Sequence, residues 1–224
     1  MIPFYESVNG GPPEPITALS PVAWYRYGVG ITVTGQGVST WADQSGNGND
    51  LLQGTDGARP PLQADNSILF NGTDEYLKAV GFTLNQPETV YGLGRQITWT
   101  SNDHWFDGNA AISGRVVQLG TTPAIIMSAG SSVASNINAI LNTYCVVAAV
   151  FNGASSELQV NRTTTTTGDA GAANMGGFTL AARGDNAVFS NIQVKEVIVF
   201  PDAHDAATRA IVITYLATVG GVNL

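Results

Sequence analysis

Charge is what this sequence has least of. Only 12% of its residues are charged, it holds one cysteine and two histidines, and its nine Lys and Arg stand against 17 Asp and Glu. The formal net charge is -8, and the basic residues are scattered, so the clustered cations that phosphate binding requires are missing. Nucleic acid and anionic membrane surfaces are therefore excluded as partners. One cysteine cannot form an intramolecular disulfide, and Cys145 lies in the apolar run "YCVVAAVF", where it reads as a buried strand residue. No window is apolar enough to span a bilayer. The start, "MIPFYESVNGGPPEP", has neither a basic n-region nor an apolar h-region, so no signal peptide is expected and synthesis is placed in the cytosol.

What is present is a core. Hydrophobic residues make up 44% of the 224, enough to fill one large β domain, while Ser, Thr, Asn, Gln and Gly supply the polar surface. Residues 1–20 are broken by Pro3, Gly10, Gly11, Pro12, Pro13 and Pro15 and read as an extended arm without regular structure. Residues 21–224 read as the domain. From Val22 onward, short runs rich in β-branched and aromatic residues alternate with turn clusters: "VAWYRY", "GVSTWAD", "SILFNG", "TVYGLG", "QITWTS", "VVQLG", "AIIMSA", "YCVVAAVFN", "ELQVNRT", "GFTLAAR" and "VKEVIVF". About ten such strands predict an all-β sandwich of two antiparallel sheets. The threonine run at 163–167 reads as a solvent-facing strand and turn. Val212, Tyr215, Leu216 and Val219 recur at helical spacing, with Asp202 or Asp205 as cap and Gly220 and Gly221 as stop, predicting one C-terminal helix against the sandwich.

The segments "SPVAWYRYGVGITVTGQGVSTWADQSGNGNDLLQGTDGARPPLQ", "ILFNGTDEYL", "VVAAVFNGASSELQVN" and "FTLAARGDNAVFSNIQVKEVIVFPDAHDAATRAIVITYLA" together resemble the LamG-like concanavalin A jelly-roll modules of phage structural and bacterial surface proteins. The resemblance runs from about residue 20 to 218, in the family's order. It implies a curved two-sheet jelly roll, often glycan-binding or a virion appendage, and in some members a lyase or glucanase.

Three stretches are candidates for chemistry. In "WADQSGNGNDLLQG", Trp41 anchors a turn in which Gly46 and Gly48 permit positive φ, Asn47 tolerates the left-handed region, and Asp43 bonds backbone amides. The alternative is calcium held by Asp43, Asn47 and Asp50, but the alternating acidic ligands closed by a Glu are missing, so no metal or cofactor is expected. In "GRQITWTSNDHWFDG", Arg95, Trp99, Asp103, His104, Trp105 and Asp107 combine aromatic faces with polar groups, the mixture that sugar recognition uses. Two strands joined by a polar bend have the same composition. Paired catalytic carboxylates are not apparent: Glu75, Glu88, Glu157 and Glu196 stand apart, and a lyase arrangement of His104, Arg95 and Tyr91 has to be forced. "RGD" at 183–185 reads as a turn in which Gly184 supports the bend.

The resulting expectation is a non-catalytic, non-enzymatic phage virion protein (tail fibre, head fibre or capsid decoration), located in the particle. Its partners would be other virion proteins, cell-surface glycans and further copies of itself, a trimer being favoured. A bacterial carbohydrate-binding module or a polysaccharide lyase or glucanase-like enzyme is the alternative.

Overall fold

The computed structural model describes residues 14–224, so most of the expected N-terminal arm lies outside the described residues. Where description begins, the arm is not extended: α1 (Glu14–Thr17) is a helical turn whose Ile16 is fully buried. The strands follow as β1 (Ala23–Tyr25), β2 (Ile31–Thr34), β3 (Gly37–Trp41), β4 (Leu51–Leu52) and β5 (Ile68–Leu69). Next come β6 (Leu77–Val80), β7 (Glu88–Gln96), β8 (His104–Asp107), β9 (Arg115–Gln118) and β10 (Ile125–Ser128). The last are β11 (Cys145–Phe151), β12 (Ser156–Val160), β13 (Thr166–Gly168), β14 (Gly177–Leu180) and β15 (Ile192–Phe200), closed by α2 (Ala206–Gly220).

Two antiparallel sheets form the expected sandwich. The seven-stranded sheet has the order β1-β15-β7-β11-β12-β13, with β5 also paired to β15; the eight-stranded sheet has the order β10-β9-β8-β14-β6-β4-β3-β2. Alternation sets what each strand buries. In β11, Val147 and Ala149 enter the core between the sheets while Val146 and Ala148 face α2, so both sides are apolar and "CVVAAVF" is continuous. In β6, Leu77 and Ala79 point inward and Lys78 and Val80 outward. One expected strand is absent: β7 ends at Gln96, and 97–103 turn, with Asn102 at φ 71° and Trp99 Nε1 donating to the Leu119 carbonyl at 2.7 Å. The short apolar runs at β2, β4 and β6 are strands that composition left unread, because each is only two to four residues long.

α2 forms for local reasons and docks for tertiary ones. Asp205 caps it, accepting from the Thr208 amide at 2.8 Å, and Gly221 ends it in the left-handed conformation at φ 66°. Val212, Ile213 and Leu216 are buried against Tyr91, Leu93, Val146 and Ile198 of the seven-stranded sheet. At about 1.5–3 kcal/mol for each large apolar side chain removed from water, this packing outweighs any intrinsic helix propensity. Glu196 ties β1, β15 and α2 together by accepting from Trp24 Nε1 (2.7 Å), the Tyr27 amide (3.2 Å) and Tyr215 Oη (2.9 Å). Its burial raises the carboxyl above its ordinary value. Among the described residues no helix is long and apolar enough to cross a membrane.

Candidate functional site

The sandwich disperses the six residues of the expected sugar cluster. Arg95 lies on β7 in the seven-stranded sheet, whereas His104, Trp105 and Asp107 lie on β8 in the other. Trp105 is 3% exposed and packs over Gly92 and Gly94, so its ring serves the core. Trp99 packs at the core margin and Asp103 ends the preceding turn. His104 and Asp107 are the two that reach the outer face of the eight-stranded sheet, because a register shift between His104 and Phe106 interrupts the alternation of β8.

That outer face carries a polar row. Register places Thr40 beside Leu52, Leu52 beside Lys78, Lys78 beside Thr179 and Thr179 beside Asp107. The next strand brings in Arg115, whose Nη1 lies 3.5 Å from His104 Nε2. Asp107 is fully buried and accepts from five backbone amides: Gly108 (2.8 Å), Ile112 (2.9 Å), Ser113 (3.1 Å), Gly114 (3.3 Å) and Gly184 (3.1 Å). Burial still pushes its carboxyl up, outweighing those donors. Asp107 thereby holds the 108–114 loop and the "RGD" loop down on the sheet. Gly184 is required at that contact, since a Cβ there would sit 2.3 Å from the Ala110 carbonyl oxygen.

Around this organiser lie further polar groups, most of them already paired. Lys78 Nζ donates to the carbonyls of Asn109 (3.0 Å) and Gly184 (2.5 Å), and burial lowers the ammonium below its ordinary value. Arg183 and Asp185 form a two-bond ion pair, 2.8 Å for each contact, at the surface of the loop. His104 is 1% exposed, and among the described residues its Nδ1 makes no hydrogen bond of good geometry and the Arg115 Nε has no partner. Burial, then the Arg115 charge, lowers the imidazole to about 4, so it is neutral at physiological pH. Tyr76, two residues before Lys78, faces the half-buried Phe189 with ring centroids 6.1 Å apart. Tyr76, Lys78, Arg115, Phe189, Arg183 and Asp185 are missing from the sequence-derived cluster. Only strand pairing brings "EYLK" beside "RGDN" and "FSN", so no local spacing could have revealed them.

The "WADQSGNGND" loop lies elsewhere. Asp43 Oδ1 accepts from the amides of Trp24 and Ser45, both at 2.8 Å, and Oδ2 from Ser45 Oγ (2.7 Å) and the Asn49 amide (3.0 Å). Asn47 Nδ2 donates to the Val22 carbonyl at 3.2 Å, and Gly46 and Gly48 have φ of 93° and 75° with open space around them. Trp41 is fully buried and donates to the Arg26 carbonyl at 3.1 Å. A cleft of about 410 Å³ adjoins the loop, lined in part by Pro21, Trp24, Gln44 and Pro201, but Ser45 and Asn47 on its wall are already committed to the loop's own hydrogen bonds. Tyr91 is distant from His104 in function: its hydroxyl pairs with His204 Nδ1 at 2.9 Å under α2.

No family model and no curated protein matches the chain. Solved structures of similar fold do. A Trypanosoma rangeli sialidase superimposes over 88% of this chain and 32% of its own, with TM-score 0.63 and 10% identity. A GH54 α-L-arabinofuranosidase mutant soaked with 4-nitrophenyl α-L-arabinofuranoside matches over 82% of this chain and 51% of its own, with TM-score 0.62 and 13% identity. An arabinofuranosidase complexed with arabinofuranosyl-α-1,2-xylobiose matches equally well, with TM-score 0.62 and 12% identity. The chain thus spans about a third of the sialidases and half of the arabinofuranosidases, and the likeness is one of fold. These neighbours are glycoside hydrolases, which corrects two expectations: the non-catalytic virion appendage and the absence of enzymatic character. Nothing in them points to a phage particle, a fibre or a trimer.

Proposed function

We propose that this chain is a sugar-engaging sandwich of a glycosidase-like enzyme, built on a concanavalin A-like jelly roll of the LamG-like kind, with the outer face of the eight-stranded sheet taking the saccharide. The observation that carries the reading is an aromatic pair next to a polar loop: Tyr76, two residues before Lys78, packs on Phe189, and Lys78 Nζ reaches Gly184 and Asn186 of the loop that carries the Arg183–Asp185 pair. Ring faces stack on the apolar side of a sugar, and charged forks bond its hydroxyls. Asp107 contributes by fixing the two loops that present these groups. The similar folds of sialidases and arabinofuranosidases support the glycosidic class of substrate.

The experiment is calorimetric titration with neutral arabino- and galacto-oligosaccharides, together with release of 4-nitrophenol from a panel of 4-nitrophenyl glycosides. Tyr76→Ala should weaken binding at least tenfold while leaving the protein folded, and turnover of any 4-nitrophenyl glycoside that it hydrolyses should fall with it. A protein that binds none of these sugars, or binds them equally well without Tyr76, overturns the proposal.

A further inference from the structure

The outer face of the other sheet carries a second cluster, where α2 leaves it uncovered. Along β15, Ile192, Val194, Val197 and Val199 face the core, while Ile198 and Phe200 face α2. The alternation skips once: a register shift between Val194 and Glu196 inserts Lys195, so Lys195 and Glu196 both turn outward. Glu196 is taken up under α2 by Trp24 and Tyr215. Lys195 projects past the helix, toward two tyrosines.

Its Nζ lies 4.4 Å from the Tyr144 ring centroid and 5.3 Å from that of Tyr27. The Arg95 guanidinium lies 4.9 Å from the same Tyr144 ring. All four residues are half-buried. Arg95 Nε donates to Gln193 Oε1 at 2.9 Å, which fixes the fork and leaves its terminal N–H groups without a hydrogen-bond partner among the described residues. Lys195 makes no hydrogen bond there, and neither cation belongs to the three ion pairs among the described residues. Asp65 is the carboxylate whose field reaches Lys195; its Oδ1 accepts from the amide and hydroxyl of Ser67, and it forms no ion pair with either cation among the described residues. The Tyr144 hydroxyl is buried beside Ser67 without a hydrogen bond of good geometry.

Two cations held against one ring repel each other, and in a chain of net charge -8 with nine basic residues their meeting is not a consequence of abundance. An anion between them relieves that repulsion. We infer that this face binds the carboxylate of an acidic saccharide, with the Arg95 fork and the Lys195 ammonium on the carboxylate and the Tyr27 and Tyr144 rims against the sugar ring. The identity of the ligand as a sugar rests on the sugar-engaging reading above; the preference for an anion rests on this geometry alone.

The test is calorimetric titration with trigalacturonate, its methyl ester and triglutamate against the wild type, Arg95→Gln/Lys195→Gln and Tyr76→Ala, all checked for folding by circular dichroism. Trigalacturonate should bind the wild type, at least tenfold more weakly the double variant, and Tyr76→Ala as it binds the wild type. The methyl ester should bind at least tenfold more weakly and triglutamate not measurably. Unchanged affinity in the double variant, or equal affinity for the ester, overturns the site. Equal binding of triglutamate overturns the acidic sugar as its ligand. Neutral oligosaccharide binding that depends on Tyr76, with no gain from the carboxylates, overturns this inference while leaving the glycosidase-like reading standing.

Discussion

Asp43 and Glu88 show how differently two carboxylates are treated by one fold. Asp43 accepts four hydrogen bonds and stitches β1 to the loop after β3. Removing a charged acceptor and stranding its donors should cost about 2–3 kcal/mol, so Asp43→Ala is expected to lower the urea midpoint by a corresponding amount, with no change in slope. Glu88, fully buried where Asp43 is only half-buried, has no hydrogen-bond partner for either oxygen among the described residues, and burial pushes its carboxyl from 4.5 to about 8. Between those values the folded chain keeps a proton that the unfolded chain releases, so this group's contribution to stability falls as pH rises through the window. His104, lowered to about 4 from 6.5, acts in the opposite sense: its contribution falls as pH drops. The two are separated by difference. The melting temperature of Glu88→Gln minus that of the wild type should grow steadily from pH 5 to pH 8, and a flat difference would show that Glu88 is ionised in the fold.

At the scale of elements, α2 and β15 divide the legible from the illegible. The helix was readable to within a residue or two, because its cap, its stop and its apolar spacing are all local. Leu216 is fully buried in the seam between helix and sheet, so Leu216→Ala should cost about 2–5 kcal/mol in denaturant titration, while Asp205→Ala should cost about 1 kcal/mol. The strand was readable as a strand, but its bulge was not. "IQVKEVIVF" has outward Lys195 and Glu196 side by side, and nothing in the residue types says which of them breaks the alternation. The neighbouring strands decide: Val194 pairs with Gly94 and Glu196 with Leu93, leaving Lys195 over. The same cause hid the outward turn of His104 on β8.

For the whole molecule, the interior of the sandwich is the best-protected region. Cys145 lies on β11, between β7 and β12, and burial pushes its thiol up to about 12. A thiol in that state offers almost no thiolate, so labelling requires that the sheet open. The native protein should therefore react with a thiol reagent only at the rate and denaturant dependence of global unfolding. Labelling that is fast and insensitive to urea would mean that β11 opens locally. The two proposed sugar-binding faces lie on opposite outer surfaces, so substitutions at Tyr76 and at Lys195 should affect binding independently.

Sequence by itself determined what depends on short range: the class of the elements, the apolar runs that make two sheets, the helix and its caps, and the turn chemistry around Asp43. These follow from periodicity and from the φ that Gly and Asn allow, which a stretch of chain expresses wherever it sits. Tertiary structure alone decided which side chains meet. Sugar-like composition at 94–108 was divided between two sheets, and the groups that do share a face came from "EYLK", "RGDN" and β9. Lys195, Arg95 and Tyr144 were likewise assembled from three adjacent strands, β15, β7 and the approach to β11. Strand order and register place them together, and both are set by long-range pairing whose partners no local pattern names.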